Sequence, residues 1–136
     1  MFLPASESEP KLIKEILDAN QQLLDTIAAG DWATYQTLCA DDMTAFEPES
    51  LGFPVEGLPF HKYYFPDQAQ SPSVVIHMIR PKVRFLSKDR SSCVVSYLRL
   101  NQSNSMSYCQ ETRIWTLQQG RWINVHFHKS TLPSKL

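Results

Sequence analysis

Residues 109–130, CQETRIWTLQQGRWINVHFHKS, decide the fold of this chain. Polar and apolar side chains alternate with a period of two in both halves of the stretch, which are rich in aromatic and β-branched residues. Such alternation is typical of β-strands, and a short segment containing glycine between two of them is typical of a hairpin turn. The stretch therefore predicts two long antiparallel strands.

The turn decides which residues share a face of this hairpin. A two-residue loop at Gln119 and Gly120 requires a positive φ at Gln119, which a residue with a Cβ disfavours. A three-residue loop over residues 118–120 leaves only the glycine in the left-handed region, and we predict that loop. The resulting pairs are Leu117 with Arg121, Trp115 with Ile123, Arg113 with Val125, Glu111 with Phe127 and Cys109 with Lys129.

Directly opposed residues of an antiparallel pair point to the same side of the sheet. One face should therefore be an apolar surface with two cations set into it, made by Glu111, Arg113, Trp115, Ile123, Val125, Phe127 and Lys129. The other face should carry Thr112, Ile114, Thr116, Trp122, Asn124, His126 and His128. A slip of one residue would place Arg113 and Lys129 on opposite sides.

Helical patterns occur in the N-terminal part of the chain. Apolar residues recur at spacings of three and four between Leu12 and Ile27, with Pro10 in the first turn and Gly30 at the end, so we predict a long amphipathic helix. Asp31 should cap a second, shorter helix. Residues 1–9 are expected to form a disordered leader, 43–46 an edge strand and 58–65 a helix that Pro66 stops.

Strand patterns follow. Residues 74–86 read as a strand broken at Arg80 and Pro81, where proline indicates a sheet edge or a bulge. Residues 92–100 read as another strand, and 101–107 as a flexible connection. Helices in front of a run of strands indicate one α+β domain over residues 10–131, followed by a tail over 132–136. We expect the long helix to pack across a strongly curved antiparallel sheet that encloses a cone-shaped interior.

Composition excludes some function classes. The 136 residues carry 13 basic and 14 acidic side chains, a net charge of −1. Neither nucleic acid nor a membrane is therefore an expected partner, whereas self-association is unopposed by charge. Cys39, Cys93 and Cys109 lack metal-binding or disulfide spacing, and no signal peptide or membrane span is seen. These features predict a cytoplasmic protein with reduced thiols.

Several segments, in order, resemble the association (hub) domain of calcium/calmodulin-dependent protein kinase II over roughly residues 10–130. They are 44–52 (TAFEPESLG), 55–57 (VEG), 60–65 (FHKYYF), 97–100 (YLRL), 111–115 (ETRIW) and 120–130 (GRWINVHFHKS). The resemblance implies a cone-like fold of the nuclear-transport-factor-2 (NTF2) type. It also implies an oligomerisation scaffold, in which dimers close into a ring and can co-assemble with kinase subunits.

The resemblance implies a site as well. Basic residues from three strands, at the positions of Arg99, Arg113 and Lys129, would converge inside the cone with His61 at its mouth and hold a small carboxylate or an acidic peptide. The family usually has arginine at the position of Lys129, so the bidentate fork is lost there. The alternative is that the cations are neutralised by the chain's own acids, namely Glu111 and one or more of Glu47, Glu49 and Glu56.

The residue types are compatible with two other chemistries. His126 and His128 have a spacing that places two imidazoles on one metal, but no third ligand is apparent, so an interface role with Asn124 is favoured. A small enzyme of the same fold could use His61, Tyr97 and Glu111. The neighbouring cations would keep a carboxylate ionised, however, which suits binding better than proton transfer. The chain has no phosphate loop or kinase catalytic motif, so we expect neither kinase activity nor a cofactor.

Overall fold

A long N-terminal helix and a curved six-stranded sheet make up the computed structural model, which describes residues 5–63, 65 and 74–132, with side chains from residue 9 onward. The elements are α1 (Ala5–Ala29), α2 (Trp32–Leu38), β1 (Cys39–Phe46), a 3₁₀ turn (Pro48–Ser50), β2 (Val55–Glu56), α3 (Pro59–Lys62), β3 (Val75–Phe85), β4 (Ser92–Gln102), β5 (Met106–Gln118) and β6 (Arg121–Thr131). The strand order is β2-β1-β6-β5-β4-β3.

Helix α1 buries its apolar stripe against the sheet. Ile16, Leu23 and Leu24 are fully buried, and the Trp115 indole N–H of β5 donates to Asn20 Oδ1 over 2.9 Å. The helix begins at Ala5, whereas the sequence placed its start at Pro10 after a leader. Pro10 lies in its second turn, where the missing N–H forgoes one intrahelical hydrogen bond. Residues 1–4 of the predicted leader lie outside the described residues.

The front of the sheet differs from the prediction for residues 43–46. Asp31 caps α2 as predicted, its carboxylate accepting from Thr34 N. Strand β1 follows directly and is not an edge strand, because the two-residue β2 covers its outer side. On its inner side β1 runs parallel to β6, so the sheet is antiparallel except for this pair.

Strands β3 to β6 form an antiparallel meander. The predicted break near Pro81 is confirmed, since β3 is an edge strand whose register shifts between Ile79 and Lys82, with Arg80 at φ 52°. The predicted connection over 101–107 is shorter, because β4 extends to Gln102 and β5 starts at Met106. Helix α3 ends at Lys62; Pro66, the predicted stop, lies outside the described residues.

The predicted three-residue loop between β5 and β6 is wrong. Gln119 and Gly120 both have positive φ, 52° and 78°, which is the geometry of a two-residue type I′ turn. Trp115 consequently lies opposite Asn124, and the neighbouring Trp122 is buried rather than on the histidine face. The predicted face of Ile123 and Val125 is therefore wrong.

A β-bulge at Val125 shifts the pairing by one more residue, so the residues of β6 after it return to the sides of the sheet that were predicted for them. Trp115 pairs with Asn124 but Ile114 pairs with His126, so Val125 has no partner. Beyond the bulge Arg113 lies opposite Phe127, and Glu111 lies opposite Lys129. The prediction that Arg113 and Lys129 share one face is therefore confirmed, although their individual partners differ from those predicted.

The core fills the space between α1, α2 and the concave side of the sheet. Its largest fully buried apolar side chain is Trp115. The three cysteines, Cys39, Cys93 and Cys109, are free and buried. Within the described residues no helix is both long and apolar enough to span a membrane.

Candidate functional site

A buried ionic network lies where β4 and β5 face the interior. Tyr97 and Glu111 are opposed across the two strands, and Arg99 and Arg113 follow two residues further along their own strands on the same side. Arg99 Nη1 donates to Glu111 Oε2 over 2.8 Å, and Arg113 Nη2 donates to the same oxygen over 3.2 Å. The Tyr97 hydroxyl donates to Glu111 Oε1. One carboxylate therefore accepts hydrogen bonds from two arginines.

The environment keeps Glu111 ionised. Burial by itself raises the pKa of this carboxyl, but Arg113 and Arg99 outweigh burial and hold the pKa at about 2, below its usual 4.5. Arg113 is 1% exposed, and its guanidinium also lies 4.3 Å from the centre of the Phe127 ring. The network is thus charged at neutral pH and largely buried.

Asn124 connects Arg113 to the β-bulge. Its amide oxygen accepts from Arg113 Nη1 over 2.8 Å, and its amide nitrogen donates to the carbonyls of Ile114 and His126, each over 2.9 Å. The side chain is fully buried on the interior side of β6. The prediction that Asn124 lies on the histidine face is wrong, because the turn has two residues. The bulge and Asn124 together fix the direction of the Arg113 side chain.

Lys129 and Glu49 form a second ion pair at the mouth of the network. Lys129 Nζ donates to Glu49 Oε1 over 2.6 Å, and the two side chains are 19% and 32% exposed. Glu49 lies in the 3₁₀ turn after β1, which ends at Leu51 in the left-handed region. Although burial acts in the opposite direction, the hydrogen bond from Lys129 lowers the pKa of Glu49.

Glu47, which lies between β1 and the 3₁₀ turn, and His61 of α3 complete the site. His61 Nδ1 is 3.6 Å from Glu47 Oε2, and His61 Nε2 is buried without a hydrogen-bond partner among the described residues. Burial, followed by the repulsion from Glu49, raises the pKa of Glu47 to about 7. Burial, followed by Arg113, lowers the pKa of His61 to about 4. The imidazole is therefore neutral at pH 7.

A cavity of about 190 Å³ joins these groups. The four residues predicted from sequence, Arg99, Arg113, Lys129 and His61, all line it, together with the carboxylates of Glu47, Glu49 and Glu111. Tyr35, Phe65 and Phe127 supply apolar wall. The structure thus brings the predicted cations together and also pairs them with acids, as the alternative reading expected. Whether this cavity receives a ligand stays a prediction.

Two contributors could not be recognised from their residue types. Asn124 was assigned to the wrong face, and Glu47 was named only as one of several acids that could be nearby. The available indication for Glu47 was its spacing, since it follows Met43 and Ala45 at intervals of two and a strand places such residues on one side; the structure buries all three.

The histidine pair lies on the other side of β6. His126 Nδ1 is 2.7 Å from Thr44 Oγ1, and the Phe46 ring packs near both imidazoles. Within the part of the chain that the structure describes, no group of three or more His, Cys, Asp or Glu side chains is placed to hold a metal.

The helix over a curved sheet with an interior pocket defines the class of protein. It is the cone-shaped fold of NTF2-like proteins. An NTF2-like protein from Cytophaga hutchinsonii superposes with a TM-score of 0.64 at 19% identity, covering 86% of this chain and 95% of that one, a likeness that concerns the fold alone. Within this class, the family model of the calcium/calmodulin dependent protein kinase II association domain matches residues 13–133, so the chain belongs to that family.

Individual relatives agree with this assignment. The association domain of C. elegans CaMKII has a TM-score of 0.82 at 36% identity, covering 94% of this chain and all of that one. The C. reinhardtii CaMKII hub homology domain has a TM-score of 0.80 at 42% identity, covering 88% and 97%. The calcium/calmodulin-dependent protein kinase type II of Caenorhabditis briggsae is 40% identical over 95% of this chain. The chain spans only 25% of that kinase's length. Family membership supports an oligomerisation scaffold.

Proposed function

We propose that this chain assembles with copies of itself into a closed ring built of dimers and joins kinase subunits that carry the same domain. The observation that supports this proposal is the association-domain match across nearly the whole chain. Closed symmetric assembly satisfies every copy's interface equally, which is the usual outcome for homo-oligomers. We further propose that it acts in the cytoplasm and binds neither nucleic acid nor membrane.

Native mass spectrometry tests the assembly. We expect one main species that contains many copies, at micromolar protein and ordinary salt. Mixing with a full-length kinase of the family should then yield particles of intermediate mass. Only monomers under these conditions would contradict the scaffold.

We also propose that the cavity binds a small carboxylate. Three cations, Arg99, Arg113 and Lys129, face two ionised carboxylates, Glu111 and Glu49, so one positive charge is in excess while Glu47 is protonated. His61 Nε2, which is buried and has no hydrogen-bond partner among the described residues, offers one further polar contact. Guanidinium groups suit a planar carboxylate, and the partly enclosed, low-dielectric surroundings strengthen the attraction. An acidic peptide side chain would present the same group.

Calorimetry with butyrate tests the carboxylate site. Lys129→Arg restores a planar fork at the mouth and should tighten binding, whereas Lys62→Arg, on an exposed position of α3, should leave it unchanged. Butyrate binding that is insensitive to Lys129→Arg would argue against this pocket as the site.

An enzyme of the same fold is the weaker candidate. A proton-transfer role needs a carboxylate or histidine that titrates near the working pH beside a neutral oxyanion donor. Glu47 meets the first requirement, with a pKa of about 7, but Glu111 is held by two arginines with a pKa of about 2. The neutral Tyr97 hydroxyl already donates to Glu111, and the surrounding arginines and lysine suit the binding of an anion better than proton transfer. Turnover of a small enolisable ketone that disappears in both Arg113→Ala and His61→Ala would reverse this ranking.

A further inference from the structure

Glu47 is a buried acid at the cavity whose charge no lysine or arginine neutralises by direct contact among the described residues. It is 8% exposed, and the basic group that approaches it is His61 Nδ1, at a distance too long for a hydrogen bond, 3.6 Å. The nearby lysine is taken by Glu49 and the two arginines by Glu111. Burying an uncompensated carboxylate is costly, so this position favours the protonated acid.

Charged and titratable groups line the cavity together with Glu47. They are Tyr35 from α2, Glu49 from the 3₁₀ turn, His61 from α3, Arg99 from β4, Glu111 and Arg113 from β5, and Lys129 from β6. Burial first, and Glu49 second, bring the pKa of Glu47 to about 7, while that of His61 is about 4. Among these groups Glu47 is therefore the one that exchanges a proton near neutral pH.

Glu47 consequently decides the net charge of the cavity. Arg99, Arg113 and Lys129 contribute three positive charges, and Glu111 and Glu49 contribute two negative ones. A protonated Glu47 leaves the site with an excess of one positive charge, which one monoanion balances. An ionised Glu47 leaves no excess, so an incoming anion would bring the site to a net negative charge.

We propose that Glu47 is a specificity-determining residue that couples ligand binding to proton uptake, so that the cavity takes a small monocarboxylate together with one proton and disfavours dianions. The reaction is a binding equilibrium in which solvent supplies the proton to a Glu47 carboxylate oxygen and no bond of the ligand is broken. The anion repels the Glu47 charge and so draws the proton in, and by linkage the proton strengthens anion binding. This inference rests on the carboxylate site proposed above.

Calorimetry at two buffer ionisation enthalpies measures the coupling. With butyrate near pH 7, in two buffers that are not carboxylates, the wild type should take up about half a proton per ligand, because Glu47 is about half ionised beforehand. Glu47→Gln, which keeps the side chain neutral, should take up none. Glu56→Gln, which removes an exposed acid on β2, is the matched control and should behave as the wild type.

The pH profile gives a second readout. Wild-type affinity for butyrate should rise up to about tenfold from about pH 8 to about pH 6, and that of Glu47→Gln should stay flat. Succinate, a dianion in most of this range, should bind the wild type more weakly than butyrate. Titration of the Glu47 carboxyl by ¹³C NMR, with and without butyrate, reports the same proton in the wild type and does not depend on the folding of the variant.

The outcomes separate the two proposals. If butyrate binds the wild type without proton uptake, or Glu47→Gln keeps the uptake, the role of Glu47 is refuted while the carboxylate site stands. If the Glu47 carboxyl does not change its titration when butyrate is bound, the role is refuted as well. If butyrate binds neither protein at any of these pH values, the carboxylate site fails and the role of Glu47 with it.

Discussion

Replacing Glu111 by glutamine should destabilise the fold strongly and in a pH-dependent way. The amide keeps the shape and one carbonyl acceptor but removes the charge that Arg99 and Arg113 share at 2.8 and 3.2 Å. Removing one partner of a buried ion pair typically costs about 3–5 kcal/mol, because the remaining charge stays buried without compensation. The loss of unfolding free energy should lie at the lower end of this range, since the glutamine side chain still accepts a hydrogen bond.

The pKa of Glu111 gives an independent magnitude. Its folded-state pKa, about 2, is below the unfolded value near 4.5, and this difference corresponds to about 3 kcal/mol. A carboxyl whose pKa is lowered by folding stabilises the native state above its unfolded pKa and loses that contribution as the pH falls toward the folded value. The difference in unfolding free energy between wild type and Glu111→Gln should therefore be smaller by about 2 kcal/mol at about pH 3 than at about pH 7.

Urea unfolding, followed by tryptophan fluorescence at one fixed protein concentration, measures this gap; the concentration must be fixed because assembly adds stability. Asp18→Asn is the control, since it breaks the Lys14 to Asp18 pair on α1, whose side chains are 76% and 65% exposed. That exposed pair should contribute little to the unfolding free energy, because solvent screens its charges. A Glu111→Gln loss as small as the control's, or one that does not change with pH, would refute the assignment of a buried, doubly paired carboxylate.

Three further outcomes follow from the hairpin and the core. Gln119→Asn should raise the unfolding free energy by up to about 1 kcal/mol, because asparagine tolerates the left-handed conformation of a type I′ turn; no gain in urea unfolding would contradict that geometry. Trp115→Phe should lower it by about 1–3 kcal/mol, since Asn20 loses its donor, and a near-neutral result in the same assay would deny that bond. Burial raises the pKa of the Cys39 and Cys93 thiols to about 11, so a thiol reagent near pH 8 should modify them only after unfolding, and rapid labelling of the native protein would contradict their burial.

Much of the fold could be predicted because its patterns are periodic and local. The stripe of α1, the cap at Asp31 and the strand alternation each depend on residues near one another in sequence. The parallel pairing of β1 with β6 joins residues about eighty positions apart, and no local pattern specifies such a pairing.

The turn was mispredicted because the preference against positive φ at Gln119 is small, about 1–2 kcal/mol, and the hairpin's burial of Trp122 and Asn124 outweighs it. The bulge at Val125 has no strong sequence pattern either, yet it returns Lys129 to the side of Arg113. The shared face of Arg113 and Lys129 was predicted correctly because the turn and the bulge each shift the pairing by one residue, and two shifts of one residue leave the facing of the strands unchanged.

The pairing of the cations and the proposed binding of a ligand are compatible. Glu111 satisfies Arg99 and Arg113 from the strand that carries it, and this pairing allows the arginines to be buried at all. One acid for two arginines leaves one positive charge over, and Asn124, an uncharged partner, fixes the direction of Arg113 without neutralising it. A second acid at position 124 would have balanced the remaining positive charge of the two arginines. Because an amide stands there instead, a positive charge remains beside the cavity, and whether an incoming anion or the ionised Glu47 balances it depends on the proton that Glu47 holds.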